Sequence, residues 1–128
     1  MTIRVVQLGS ERKRDEGLRI GTVRRPPRGV RKEDIAKENW YDVWLPELAP
    51  SADLVKAAQA ATSDKEWAAF EKRYRRELAA PEGTRLLLLL AALSRQTNLA
   101  VGCYCADESR CHRSILRELL RENGAELA

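Results

Sequence analysis

Thr97-Asn98-Leu99-Ala100-Val101-Gly102-Cys103-Tyr104-Cys105 is the stretch on which the fold turns. It is short, apolar through its middle and set between two helical patterns, which predicts a parallel strand buried on both faces. Upstream, Thr84 to Arg95 is nearly all leucine and alanine on its inner side and predicts a deeply packed helix. Downstream, Ala106 to Arg110 turns, and Cys111 or His112 opens a last helix that Asn123-Gly124 stops.

Working towards the N-terminus, the middle of the chain is helical. Ser51 after Pro50 is a candidate N-cap for a helix through about Ala61. Ser63 with Glu66 three residues later makes a capping box. Trp67, Phe70, Tyr74 and Leu78 then share one helix face, and Pro81 and Gly83 are expected to end that helix. Thr2 to Leu8 alternates apolar and polar residues and predicts a strand, as does Leu18 to Val23. Arg24-Arg25-Pro26-Pro27-Arg28-Gly29 is a stiff exposed loop, because two prolines before a glycine fit neither a helix nor a central strand. Lys32 to Lys37 offers one or two helical turns, and Trp40 to Leu45 a further strand cut short by Pro46. The expected architecture is a single three-layer α/β domain over residues 1–128, with a small mostly parallel sheet flanked by helices.

Composition excludes other classes. With 128 residues, 44% of them hydrophobic and 33% charged, the chain is one globular domain rather than a disordered segment. Its longest apolar run, Leu86 to Leu93, is far shorter than the roughly 18 residues of a membrane span, so no membrane partner is expected. The N-terminus is polar and basic, and three cysteines make an odd number. Both point to reduced thiols in a cytoplasmic compartment. The net charge of +4 is uneven: between Arg12 and Lys32 nine basic residues face two acids, a local +7 that leaves −3 elsewhere. Such a block suits a phosphate-bearing partner or a solvated face.

All three cysteines and the one histidine fall between Cys103 and His112. That places them at the carboxyl end of the buried strand and the start of the next helix, where open α/β sheets bind ligands. Three chemistries compete there. The helix N-terminus with Arg113 and Ser114 would hold a phosphate or carboxylate. Cys103, Cys105, Cys111 and His112 are a ligand set for zinc or iron, although C-x-C on a regular strand spaces its sulfurs widely. Cys111, at the helix N-terminus beside His112 and Arg113, is expected to have a lowered pKa and makes Cys111 and His112 the catalytic candidates. The bland alternative is that Cys103 and Cys105 simply pack. A thiol phosphatase loop is excluded by spacing: four residues separate Cys105 from Arg110, and one separates Cys111 from Arg113. No glycine-rich phosphate loop is present.

The tail Cys103 to Leu116, with its C-x-C-x₅-C-H-R-S-I-L pattern, resembles the uncharacterised family called domain of unknown function 488, the YeaO-like proteins. Pro27-Arg28-Gly29-Val30 with Lys32-Glu33-Asp34, Leu48-Ala49-Pro50-Ser51, and Trp67, Phe70, Tyr74 and Glu77-Leu78 are similar to further motifs of that family in the same order. Where the family often carries D-R-L-W ahead of P-R-G, this chain has Val23-Arg24-Arg25-Pro26. The resemblance implies a compact α/β fold and names no reaction. The expectation is that Arg24, Arg25 and Arg28 converge with Cys111, His112, Arg113 and Ser114 to bind an anionic ligand: a nucleotide, a phosphate or a nucleic-acid backbone. His112 would be a possible acid or base, and Trp40 and Trp44 would be core or a stacking surface. The alternatives are a metal-binding protein and a salt-sensitive nucleic-acid module driven by the +7 segment.

Overall fold

A computed structural model describes residues 1–128. Four parallel strands lie in the order β1-β4-β2-β3, with β1 at Ile3–Gln7, β2 at Leu18–Gly21, β3 at Val43–Trp44 and β4 at Leu99–Cys103. All five residues of β4 are buried, as its composition predicts. Leu99 pairs with Ile3 on one side and Leu18 on the other, so β4 joins two strands that are otherwise apart.

Alternation along the strands sorts the two faces. Ile3, Ile20, Leu99 and Val101 face a layer of helices: α1 (Ala52–Ala60), α2 (Asp64–Leu78), α3 (Pro81–Leu93) and α4 (His112–Glu122). Phe70, Tyr74, Leu78, Leu87, Leu90, Leu116 and Leu120 fill the space between. Arg19, Gly21, Ala100 and Gly102 face the other way. That side is covered by the connections around β2, with the Tyr41 ring against Gly21 and a 3₁₀ turn at Lys32–Asp34. The layered α/β domain is therefore helical on one face and built of turns and irregular chain on the other.

Local signals explain most element ends. The Glu66 N–H donates to Ser63 Oγ at 3.1 Å and the Ser63 hydroxyl donates to Glu66 Oε1 at 3.1 Å, a capping box that starts α2. Gly124, at φ 90°, ends α4. Its N–H reaches the Arg121 carbonyl and the Ala125 N–H reaches that of Leu120, both at 3.0 Å. Two expectations need correction. Pro81 does not only mark the end of α2 but is itself the first residue of α3, where its missing N–H costs nothing. Trp40 to Leu45 yields only a two-residue edge strand, because Pro46 opens a 3₁₀ turn. No helix is long and apolar enough to cross a membrane.

Candidate functional site

β2 and β4 end side by side, and parallel pairing sends the segments after both to one edge of the sheet. The proline loop after β2 and the cysteine segment after β4 thus meet. The Tyr104 hydroxyl donates to the Arg25 carbonyl at 2.7 Å and fastens one segment to the other. Between them and α1 lies a cleft of about 580 Å³, with Arg24, Arg25, Arg28 and Lys56 on its walls and Cys103, Cys105 and His112 at its base. No acidic side chain lines it.

The four cations are not equivalent. Arg24 donates from Nε to the Pro50 carbonyl and from Nη2 to that of Ala49, both at 3.0 Å, so much of its guanidinium is engaged. Arg25, Arg28 and Lys56 are exposed. Elsewhere the +7 segment is partly neutralised by folding: Arg12 pairs with Asp42 at 2.9 Å, Arg19 with Glu16 at 2.6 Å and Arg31 with Asp34 at 3.1 Å. The arginines of the proline loop are thus the part of the block that faces a cavity.

His112 is the first residue of α4 and packs edge-on against Tyr74, 5.6 Å between ring centres. Its Nε2 lies 2.7 Å from the Thr22 carbonyl. A carbonyl only accepts, so Nε2 carries the proton and Nδ1 keeps its lone pair. Nδ1 faces Cys111 Sγ at 3.8 Å. Burial, opposed by the Thr22 contact, pushes the ring's pKa down to about 4, so the ring is neutral at pH 7. The sulfurs of Cys103 and Cys111 and a ring nitrogen of His112 all lie within 4.8 Å of one another. Ligand distances of about 2.3 Å to sulfur and 2.0 Å to nitrogen put tetrahedral edges at roughly 3.5–3.8 Å. The Cys111–His112 separation is that of two ligands of one ion. This Cys/His cluster could hold a metal.

Cys103 and Cys111 are buried and Cys105 is exposed; none forms a disulfide. β4 stops at Cys103, so the chain has left the strand by Cys105 and the sulfurs are not spread as regular alternation would spread them. The Cys103 and Cys111 thiols donate to the Cys105 sulfur, and the Arg113 guanidinium adds positive potential, which draws Cys105 far below the ordinary thiol range. The thiol of Cys111 moves up instead. Cys103 favours its ionised form, but its bond to Cys105 and its burial outweigh that. The expected low-pKa thiol at Cys111 is therefore corrected to Cys105, the only one of the three that solvent reaches freely.

Arg113 and Ser114 stand behind the cleft rather than in its lining. Arg113 is 3% exposed, and its Nη2 donates to the Cys105 carbonyl at 2.6 Å. The Ser114 hydroxyl donates to the Cys111 carbonyl at 2.9 Å. Both brace the cysteine segment. Trp40 packs edge-on to Tyr104, and Trp44 donates to the Val23 carbonyl at 2.7 Å. Sequence reasoning missed Thr22, Tyr104 and Lys56. Thr22 had a signal, since it directly follows a strand parallel to β4. Lys56 had none, because only tertiary packing brings α1 to this edge.

The chain matches the family model described as "Active DUF488-N3 subclade" over residues 3–124. It is 30% identical over 123 residues to a protein named "Uncharacterized protein YeaO" from Escherichia coli (strain K12), covering 94% of this chain and 98% of that one. No solved structure matches. With the motif-bearing segments gathered at one sheet edge and the family match running almost end to end, the chain belongs to the DUF488 family, among its YeaO-like members.

Proposed function

We propose that the chain binds a phosphate-bearing ligand of nucleotide size in the cleft between the proline loop, α1 and the cysteine segment. The observation that carries this reading is the charge of the walls: Arg24, Arg25, Arg28 and Lys56 face one cavity with no acid among them. A volume of about 580 Å³ is in the range that small-molecule sites occupy. Arginine forks match phosphate oxygens in pairs, whereas Val23, Pro50 and Val55 offer apolar contact to the rest of a ligand. Cys105, held as a thiolate at the base, leaves a nucleophile within the same cavity. The family model's own description, an active subclade, is in keeping with a working site. Engagement of Arg12, Arg19 and Arg31 by acids removes support from a nucleic-acid module spread over the whole +7 segment. Titration calorimetry with ATP, inorganic pyrophosphate and adenosine tests the proposal. The phosphates are expected to bind and adenosine not to, with affinity falling as salt rises. Equal binding of adenosine, or none of the three, would reject it.

A second reading has its own observation, the Cys103, Cys111 and His112 cluster with its fixed imidazole tautomer. A histidine that donates its second ring N–H to a backbone carbonyl is oriented as metal-bound histidines are. Three soft or borderline donors suit zinc or iron(II). Elemental analysis of tag-free protein purified without chelator is expected to find one metal per chain. A ratio near zero after reconstitution with zinc would end this reading.

A further inference from the structure

The cluster's ligands are not alike in their surroundings. Cys103 and Cys111 are buried at 1% and 2% exposure and His112 is half-buried, and these three make the compact group. Cys105 lies outside that group, is exposed, and borders both the cationic cleft and the smaller hollow beside it. A structural zinc site encloses all four ligands, whereas a reactive one has three protein ligands and a position open to exchange. The cleft meets the cluster at Cys103 and His112, and the cations sit on the same cavity.

Resting on the metal reading above, we propose that Cys103, Cys111 and His112 Nδ1 form a three-ligand metal site whose fourth position opens on the cationic cleft. Cys105 is the exchangeable ligand at that position, displaced by an anion of the phosphate class. Exchange breaks the metal–Sγ bond to Cys105 and forms a metal–oxygen bond to the anion. The sulfur leaves with its electron pair as a free thiolate, no proton is transferred, and nothing is oxidised or reduced. Cys103, Cys111 and His112 hold the ion throughout, while the Arg25 and Arg28 side chains balance the charge the anion brings.

Cobalt(II) in place of the native ion makes the exchange visible, since each thiolate bound to it adds charge-transfer absorbance. The wild-type chain is expected to bind one equivalent of cobalt. Cys105→Ser is expected to keep that equivalent and lose about one third of the charge-transfer intensity, as three thiolates become two. Inorganic pyrophosphate added to the wild type should bring its spectrum down to that of Cys105→Ser, and should not lower the variant's further. The pyrophosphate titration needs no variant and so does not depend on a substituted chain folding. Loss of stoichiometric cobalt from a folded Cys105→Ser would mean a closed four-ligand site and overturn the proposal. So would an unchanged wild-type spectrum in the presence of bound pyrophosphate. A wild-type chain that takes up no cobalt at all would remove the metal reading itself, a result distinct from either of these.

Discussion

Glu16→Ala is expected to destabilise the folded chain by about 3–5 kcal/mol, the cost of leaving a buried charge without its partner. Arg19 is fully buried on β2, on the face turned away from the helices, and Glu16 is 1% exposed. The guanidinium donates from Nε and Nη2 to the two carboxylate oxygens at 2.6 and 2.9 Å, a paired fork, and from Nη1 to the Ser10 and Asn39 carbonyls. Removing the carboxylate leaves only neutral acceptors around a charge in a water-poor interior. Urea unfolding of the single variant and of Glu16→Ala/Arg19→Met measures this. The double variant should recover much of the loss, because an apolar pair carries no desolvation cost. A single-variant loss under about 1 kcal/mol would show that water reaches Arg19. The pH dependence has a definite sign. Burial pushes the Glu16 carboxyl up, but Arg19 and the Lys13 N–H outweigh it and hold it below its ordinary 4.5. Its stabilisation is thus present above that value and is lost as pH falls through the folded one, so the gap between wild type and Glu16→Gln should close on acidification.

Reversing both free arginines of the proline loop, Arg25→Glu with Arg28→Glu, is expected to weaken pyrophosphate or ATP binding by about 100-fold or more. Hydrogen bonds to charged groups contribute about 1.5–3 kcal/mol each, so two lost donors alone reach that range. The new carboxylates would add repulsion. Both side chains are exposed and the backbone link from Tyr104 to the Arg25 carbonyl is unaffected, so the fold should tolerate the change. Thermal unfolding within a degree or two of wild type would establish that. Retained affinity in a folded double variant would move the ligand away from this cleft. Reversing Lys13 and Arg14, which do not line it, serves as the control for net charge.

Much of the architecture was legible because it follows from local rules. Thr97 to Cys105 carried its burial in its composition, Ser63 and Glu66 their cap, and Asn123-Gly124 their stop. The meeting of the proline loop with the cysteine segment followed from strand direction. Charge was legible only as a sum. Arg12 finds Asp42 thirty positions away, and Arg19 is buried against Glu16, so the isolated +7 overstated the free cations. The thiols were misjudged for a similar reason. Helix position alone favours ionisation at Cys111, but depth in the fold and two S–H donors favour it at Cys105. Which residue the solvent reaches is a tertiary fact, and so is the carbonyl of Thr22 that sets the imidazole's tautomer.

The place of β4 between β1 and β2 bears on how the chain comes to be folded. β1 is complete within the first seven residues, yet its strand partner begins at Leu99. During synthesis the first strand must wait for most of the chain to emerge, and the sheet closes late and over long sequence separations. Long-range parallel pairing of this kind is intrinsically slow to form and leaves strand edges unpaired meanwhile. Cys103 ends the strand that locks the sheet, and Cys105, Cys111 and His112 follow it closely. In this chain the Cys/His cluster is thus brought together by the same strand that joins the two halves of the sheet.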